Sequence, residues 1–515
     1  LTVRRILAIG AASLCVLSAC ANSYVSRAPA SPSTPWKPAP ADPHDFSLPV
    51  EPALPPVAGG EPSTDAQHVY TLPELIDIAE SNNPDTRIAW EQARQAALAV
   101  GLARAEYLPT IAALALAGYR HTFFPVPSLA KSIVGVFPSE NAPGVSFPVP
   151  RLAAASGHVG VDTFDVLPFL AIRWQVVDFG RGAQVDAAEH ASVAANIAFT
   201  GAHQKVVLDV TKAYLGLSAA RAQLAVARDA LERTTGTAKA TEAQLGRGLA
   251  TTVESTETRR EISQGEYAVT QAQAAEVAVY TQLLATMGLD PLVQLKVATN
   301  PSRNLPGRLE VDVNTYVQAA LKTRPDLQAA LAQRASAQAL VAKREAAYLP
   351  RVGFLGTAGA AVLGSKIDGG PFSSTTLPNV GASLTFEWSL FDFGLRDAAA
   401  EIARSRRNEA GQLLEKLQRD ATHQVVAAYH EVNAALARYQ AATSLEKTAA
   451  TAEDAATKSH ANGLATISDV LNAQRARSVA SAGKEQAFAD ALISATALVF
   501  ASGQLGSANA VPDLK

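Results

Sequence analysis

The chain has 515 residues, 48% of them hydrophobic, and a formal net charge of −3. Its length allows two to four domains, and its near-neutral charge removes the electrostatic argument for a nucleic-acid partner. Alanine is abundant and aromatic residues make up only 6%. Long helix is favoured, because Ala loses no side-chain entropy in a helix.

Residues 1–19 read as an export signal: Arg4 and Arg5 precede an apolar run from Ile6 to Ala19 that is too short to span a bilayer comfortably. The run ends in Leu17-Ser18-Ala19-Cys20, which resembles a bacterial lipobox. By that resemblance Cys20 becomes the lipidated first residue of the mature protein. Ala21 follows, where an Asp would resemble an inner-membrane retention signal. An ordinary signal peptide with an incidental Cys is the plainer alternative. The only cysteines are Cys15 and Cys20, so a mature chain has no disulfide, thiol nucleophile or Cys-based metal site. A single acyl chain binds a membrane weakly, and stable anchoring needs a second attachment. Residues 20–70 form a tether, Pro-rich and extended from about Ala28 to Pro62.

The next 433 positions (503 − 71 + 1) contain a duplication. Asn83-Pro84-Asp85 recurs as Arg324-Pro325-Asp326 and Tyr107-Leu108-Pro109 as Tyr348-Leu349-Pro350, both offset by 241 (325 − 84 and 348 − 107). Trp174 and Asp178-Phe179-Gly180 recur as Trp388 and Asp392-Phe393-Gly394, offset by 214 (388 − 174). Gly248-Leu249-Ala250-Thr251 recurs as Gly463-Leu464-Ala465-Thr466, and Gly288 as Gly503, offset by 215 (463 − 248 and 503 − 288). The copies span 71–288 and 313–503, with a linker at 289–312 and a tail at 504–515. The drop in offset places a longer loop in the first copy, from about Pro125 to Thr163. Its Pro and Gly content suits an external loop.

Each copy predicts an opening helix, a strand hairpin, a very long helix, a turn and a shorter helix. The opening helices run from about Leu72 to Glu106 and Val313 to Ala347, and each stops at Tyr-Leu-Pro, where proline ends the ladder. Strands follow at about 110–121 and 168–177, then 351–362 and 380–391. Leu170, Ile172, Trp174 and Val176 alternate with Ala171, Arg173 and Gln175, and Val380 to Leu390 alternate likewise. This period suits a membrane barrel with a wet lumen, although a soluble sandwich would share it. The long helices, about 182–247 and 395–462, contain no proline. At 1.5 Å per residue each is a rod of roughly 100 Å, which no compact domain of ordinary radius contains. Final helices run from about Thr252 to Met287 and Ile467 to Ser502. An opening and a final helix stacked end to end match one long helix. Four strands cannot close a barrel, for which about eight are needed, so chains must pool them. Three chains give twelve.

The duplication, the Asp-Phe-Gly after each hairpin and the Gly-Leu-Ala-Thr turns together resemble the TolC-like outer-membrane factor family. The lipobox resembles the lipoprotein branch serving resistance-nodulation-division (RND) efflux systems. The resemblance covers about Thr71 to Gly503 and implies a mainly α protein with a membrane β-barrel. The implied assembly is a homotrimer with a twelve-stranded barrel in outer-membrane lipid and a twelve-helix periplasmic tunnel. A periplasmic adaptor (membrane fusion) protein and an inner-membrane RND-type transporter are the implied partners, and drugs or other toxic small molecules the cargo.

Two sites follow. The turn residues Gly248, Leu249, Thr251, Gly463, Leu464 and Thr466 match the tips that dock the adaptor in the family. As plain chemistry, Gly248 and Gly463 suit the left-handed residue that ends a helix. Asp469-Val470-Leu471-Asn472 resembles the family's acidic gate, with Asn472 replacing a second carboxylate. Glu254 corresponds to Asp469 (469 − 254 = 215), and Glu257 shares its helical face. Threefold symmetry would bring these charges together, favouring cations and raising carboxyl pKa values. Carboxylates stabilised at a helix N-terminus are the competing reading.

Catalysis finds no support. The Asp-Phe-Gly tripeptides lack the other kinase motifs, and Ala434 stands where a zinc-protease helix starting at His430 needs its second His. Neither a cofactor nor a metal is expected. Arg173 and Glu387 are expected on lumen faces, tuning hydration. Rival readings are a type I protein-secretion channel, which the lipobox disfavours, and a periplasmic structural coiled-coil lipoprotein, which predicts no barrel.

Overall fold

The computed structural model describes residues 65, 67–125, 158–299, 304–367, 369–506 and 510. Cys20, the signal peptide and the tether through residue 64 lie outside the described residues, as do 126–157 of the expected external loop and 511–515 of the tail. The first copy comprises β1 (Val69–Tyr70), α1 (Leu72–Asn82), α2 (Pro84–Ala105), β2 (Thr110–Pro125), β3 (His158–Val177), α3 (Gly180–Leu245) and α4 (Thr252–Thr286). After β4 (Lys296–Val297) the second repeats the order: α5 (Val313–Thr323), α6 (Pro325–Glu345), β5 (Arg351–Ile367), β6 (Ser373–Glu387), α7 (Leu395–Ala461) and α8 (Ile467–Ala501). Among the described residues, no helix is long and apolar enough to cross a membrane.

The opening helices, continuous in the sequence reading, are each two helices. Proline excludes helical geometry at the residue before it, and Asn83 (ψ 128°) and Arg324 (ψ 123°) are both extended. At these breaks the copies stack their short helices. Asn83 Nδ2 donates to Thr286 O at the end of α4 (2.8 Å), and Thr323 Oγ1 donates to Ser502 O beyond α8 (2.8 Å). The stacked pair α2 and α4, of 22 and 35 residues, runs beside the 66 residues of α3. Four columns result: α2 with α4, then α3, then α6 with α8, then α7.

The main core lies at the middle of these columns. Leu75 and Ile76 of α1, Val207, Val210, Leu215 and Leu217 of α3, and Leu283, Leu284 and Met287 around the end of α4 are almost wholly buried there. Leu295 and Val297 of the linker and Leu505 of the tail complete the cluster. β4 contributes by pairing in parallel with β1, Tyr70 opposite Val297. Each such side chain contributes about 1.5–3 kcal/mol on burial, so this belt holds the two copies together. Towards the sheet the long helices bury alanines, Ala187 and Ala194 in α3, Ala400 and Ala403 in α7.

The sheet is antiparallel with order β2-β3-β5-β6, so the two hairpins join through β3 and β5. The strands extend beyond the sequence reading. β3 starts at His158 rather than about 168, because its pairing with β2 continues to Pro125. His158 to Thr163, read as loop, are therefore strand. β6 runs from Ser373 and stops at Glu387 instead of 391. Glu387 pairs with Arg351, the first residue of β5, and Pro350 before it has no N–H to continue a ladder. The interior strand β3, by contrast, gains Val352 to Phe354 as partners and runs to Val177. The register gives two unlike faces. Rows Ile111–Ile172–Gly356–Ala382 and Ala113–Leu170–Ala358–Val380 are apolar, whereas Arg120, Asp165, Arg173, Arg351 and Glu387 fall on the other face. Within the single chain, β2 and β6 each have one unpaired edge.

Candidate functional site at the helical tips

Far from the sheet, α3 turns into α4 and α7 into α8 through the repeated Gly-Leu-Ala-Thr. Gly248 and Gly463 both adopt φ +72°. Each closes its helix in the same way: the N–H of Leu249 reaches Gln244 O and that of Leu464 reaches Ser459 O, both at 2.9 Å. This six-to-one bond with a left-handed glycine is a Schellman stop. Thr251 and Thr466 then cap the next helices. Thr251 Oγ1 accepts the N–H of Glu254 and Thr466 Oγ1 that of Asp469, both at 3.2 Å. In return Glu254 Oε2 accepts the N–H of Thr251 (2.7 Å), and Asp469 Oδ2 that of Thr466 (2.9 Å). Both turns are therefore complete capping boxes. The leucines between stop and cap are left in solvent, Leu249 at 74% exposure and Leu464 at 81%.

The capping fixes the state of the two acids. Glu254 is held below the usual carboxylate range, first by the backbone N–H of Thr251 and then by its hydroxyl. The Thr466 hydroxyl, followed by its N–H, does the same for Asp469. Within one chain the direction is thus downward, the opposite of the rise expected from like charges gathered at a constriction. The physical reason is that charge-assisted bonds to a helix N-terminus stabilise the anion. Asn472 is exposed one turn beyond Asp469.

Glu257 does something different. Its Oε1 accepts the hydroxyl of Ser468 (2.7 Å), linking α4 of the first copy to α8 of the second. A turn further from the tip, Arg475 Nε donates to Glu261 Oε1 (2.8 Å), and Glu261 is buried. Beyond that, Gln474 Nε2 donates to Thr237 Oγ1 (2.9 Å). Glu453 of α7, also buried, receives Arg477 of α8 (2.8 Å) and has Arg233 of α3 at 3.4 Å. These three tie the columns together.

Glu261, Arg475, Glu453, Arg477 and Arg233 were not legible as a group. They lie on four helices with no shared spacing, and only a charged residue on an otherwise apolar face of each helix hints at them. Arg181, next to the first Asp-Phe-Gly, belongs with these unread residues. It is buried, donates to Glu106 O (3.1 Å) and Val176 O (2.7 Å), and lies 4.6 Å from the centre of the Tyr107 ring. The register shift between Gln175 and Val177 frees the Val176 carbonyl for it.

Among the described residues, no cluster of His, Cys, Asp and Glu is arranged to hold a metal ion. What the tips present is a rigid pair of exposed leucines flanked by anchored carboxylates.

No curated protein sequence matches the chain. Solved structures do. The outer-membrane channel OprN superposes with a TM-score of 0.65 at 18% identity, covering 86% of this chain and 94% of that one. The Campylobacter jejuni CmeC outer membrane channel gives 0.63 at 16% identity, covering 84% and 85%. The Vibrio cholerae outer membrane protein VceC gives 0.61 at 20% identity, covering 84% and 96%. At these identities the likeness establishes the fold. The sequence itself matches the outer membrane efflux protein family over residues 156–289 and 316–504, which takes in both long helices and both tips, and the chain belongs to that family.

Proposed function

We propose that the chain is the exit duct of a tripartite RND-type efflux pump, passing drugs or other toxic small molecules across the periplasm and the outer membrane. One observation carries the assembly: the four-stranded sheet has unpaired edges on both β2 and β6. An open sheet edge in hydrocarbon leaves N–H and C=O groups without partners at several kcal/mol each. Pairing β6 of one chain with β2 of the next removes every edge. In a homotrimer, four strands and four helical columns per chain become a twelve-stranded barrel on a twelve-column tunnel. The protein then needs no bond chemistry of its own and acts as a conduit, not an enzyme.

The tips fit the two remaining roles. Leu249 and Leu464, rigidly presented by Gly248 and Thr251 and by Gly463 and Thr466, supply apolar knobs for the hairpin of a periplasmic adaptor. Glu254, Glu257, Asp469 and Asn472 line the narrow inner end as its gate, with an inner-membrane transporter beyond. Cys20, in its lipobox, anchors the mature N-terminus in the outer membrane.

Deletion in a strain carrying the cognate pump is expected to raise intracellular dye accumulation, and complementation with Leu249→Asp/Leu464→Asp to leave it raised while trimer and barrel persist. Unchanged accumulation on deletion rejects the drug-efflux reading. Full complementation by the double variant rejects docking through the tips.

A further inference from the structure

The apolar face of the sheet ends in a charged cluster that conduction through a lumen does not use. Tyr119 and His121 of β2, Asp162 of β3 and Lys366 of β5 share that face, because Asp162 is directly opposite both His121 and Lys366. Tyr119 Oη donates to Asp162 Oδ1 (2.6 Å), and His121 Nδ1 contacts the same oxygen. With Nδ1 committed to the carboxylate, the imidazole presents Nε2 outward. Lys366 and both rings are exposed. Phe123 stands edge-on to His121 with ring centres 4.4 Å apart, Phe164 flanks Asp162 on the same face, and the Phe372 ring lies over Gly364.

The depth of this cluster is informative. Trp174 and Trp388 donate their indole N–H groups to Tyr107 O and Tyr348 O at the foot of the hairpins. Asp162 is twelve residues along β3 from Trp174 (174 − 162). Twelve residues at about 3.3 Å, tilted by about 40°, rise roughly 30 Å, about the thickness of a hydrocarbon core. Every residue on this face of β3 between them is apolar: Phe164, Val166, Pro168, Leu170 and Ile172. Tryptophan marks one interface, and aromatics with an ammonium and an imidazole mark the other.

We propose that Lys366 and His121, with Asp162 positioning His121, bind the phosphate of a glycolipid headgroup in the outer leaflet, one site per chain. The proposal rests on the barrel reading above. A phosphate takes an ammonium as a point charge, and with Nδ1–H given to Asp162 the neutral imidazole offers Nε2 as the acceptor for a phosphate hydroxyl, while Phe123, Phe164 and Phe372 cover the acyl-chain boundary. The carboxylate also keeps the unoccupied site near neutral, which suits a surface lying at a lipid interface.

Native mass spectrometry of the detergent-solubilised full-length protein tests this with bisphosphorylated lipid A, the same lipid without phosphates, and inorganic phosphate as a competitor. Up to three lipid A molecules per trimer are expected. Loss of the phosphates or Lys366→Glu should weaken retention about tenfold or more, as for a lost charge-assisted bond. Lys366→Arg should restore it, and millimolar inorganic phosphate should not displace the lipid. Equal retention of both lipids, or by Lys366→Glu, overturns the site while leaving the trimer intact. Displacement by inorganic phosphate overturns the lipid as ligand. Absence of a trimer overturns both this site and the barrel reading.

Discussion

Ser468 on α8 donates its hydroxyl hydrogen to Glu257 on α4 at 2.7 Å, and that bond joins the tips of two helical pairs 211 residues apart in the chain. One turn on, Arg475 and the buried Glu261 repeat the connection with opposite charges. In the gate proposed above, the tips part only when both links release, which makes the pair a latch.

Removing the latch should be visible as current. In planar bilayers, Ser468→Ala/Arg475→Ala trimers are expected to conduct several-fold more than the parent at the same voltage. Each link is worth about 0.5–3 kcal/mol, enough to shift a closed population substantially. A conductance identical to the parent's dissociates these residues from the gate. Asp469→Ala, which removes a charge from the same end, should weaken block by multivalent cations.

The caps have a defined pH response. Glu254 and Asp469 both titrate below their ordinary values of 4.5 and 3.8. Their contribution is therefore complete above those values and is lost as pH falls through the depressed folded ones. Amide protection across 251–256 and 466–471, corrected for intrinsic exchange, should be flat from about pH 8 to about pH 5 and fall below about pH 4. Thr251→Ala and Thr466→Ala should each cost about 1 kcal/mol locally and abolish most of that acid response.

Four of the six glycines with positive φ among the described residues, those that end helices in both copies, separate into two pairs. Gly248 and Gly463 have open space around a built Cβ, so replacement by Ala meets only the left-handed backbone and costs roughly 1 kcal/mol. At Gly288 the Cβ would lie 2.9 Å from Asn82 O, and at Gly503 2.7 Å from the Arg324 nitrogen. There the strain adds to overpacking, for about 2–4 kcal/mol in all. Thermal unfolding of the four single variants should rank accordingly, with Gly288→Ala and Gly503→Ala well below the tip pair.

Glu453 sits buried between Arg477 and Arg233. Glu453→Ala leaves Arg233 with Asp229 alone and Arg477 with solvent in place of its partner, and should cost about 1–3 kcal/mol, measured as a lower Tm. Glu453→Met/Arg477→Met should recover much of the loss, because an apolar pair carries no desolvation penalty.

Much of the architecture was legible because it depends on local rules. Proline-free Ala-rich stretches continue as helix, Gly-Leu-Ala-Thr reverses the chain, alternation marks strands, and a constant offset reveals two copies. The helix breaks at Pro84 and Pro325 are legible too, since proline restricts the residue before it, although apolar periodicity alone runs through them. The strand ends were not. Where β3 begins and β6 stops depends on which partner is present across the sheet, and the join of β3 to β5 is a contact between copies.

Alone, the sequence determined the repeat, the length of the rods and the chemistry of each cap, because every one of these follows from backbone preference and nearest neighbours. Only the tertiary structure decided that Glu257 and Glu261, on the same helix as the capping Glu254, reach the other copy. Spacing along one helix places a carboxylate on a face. Which groups it meets there is set by the packing of helices far apart in the chain.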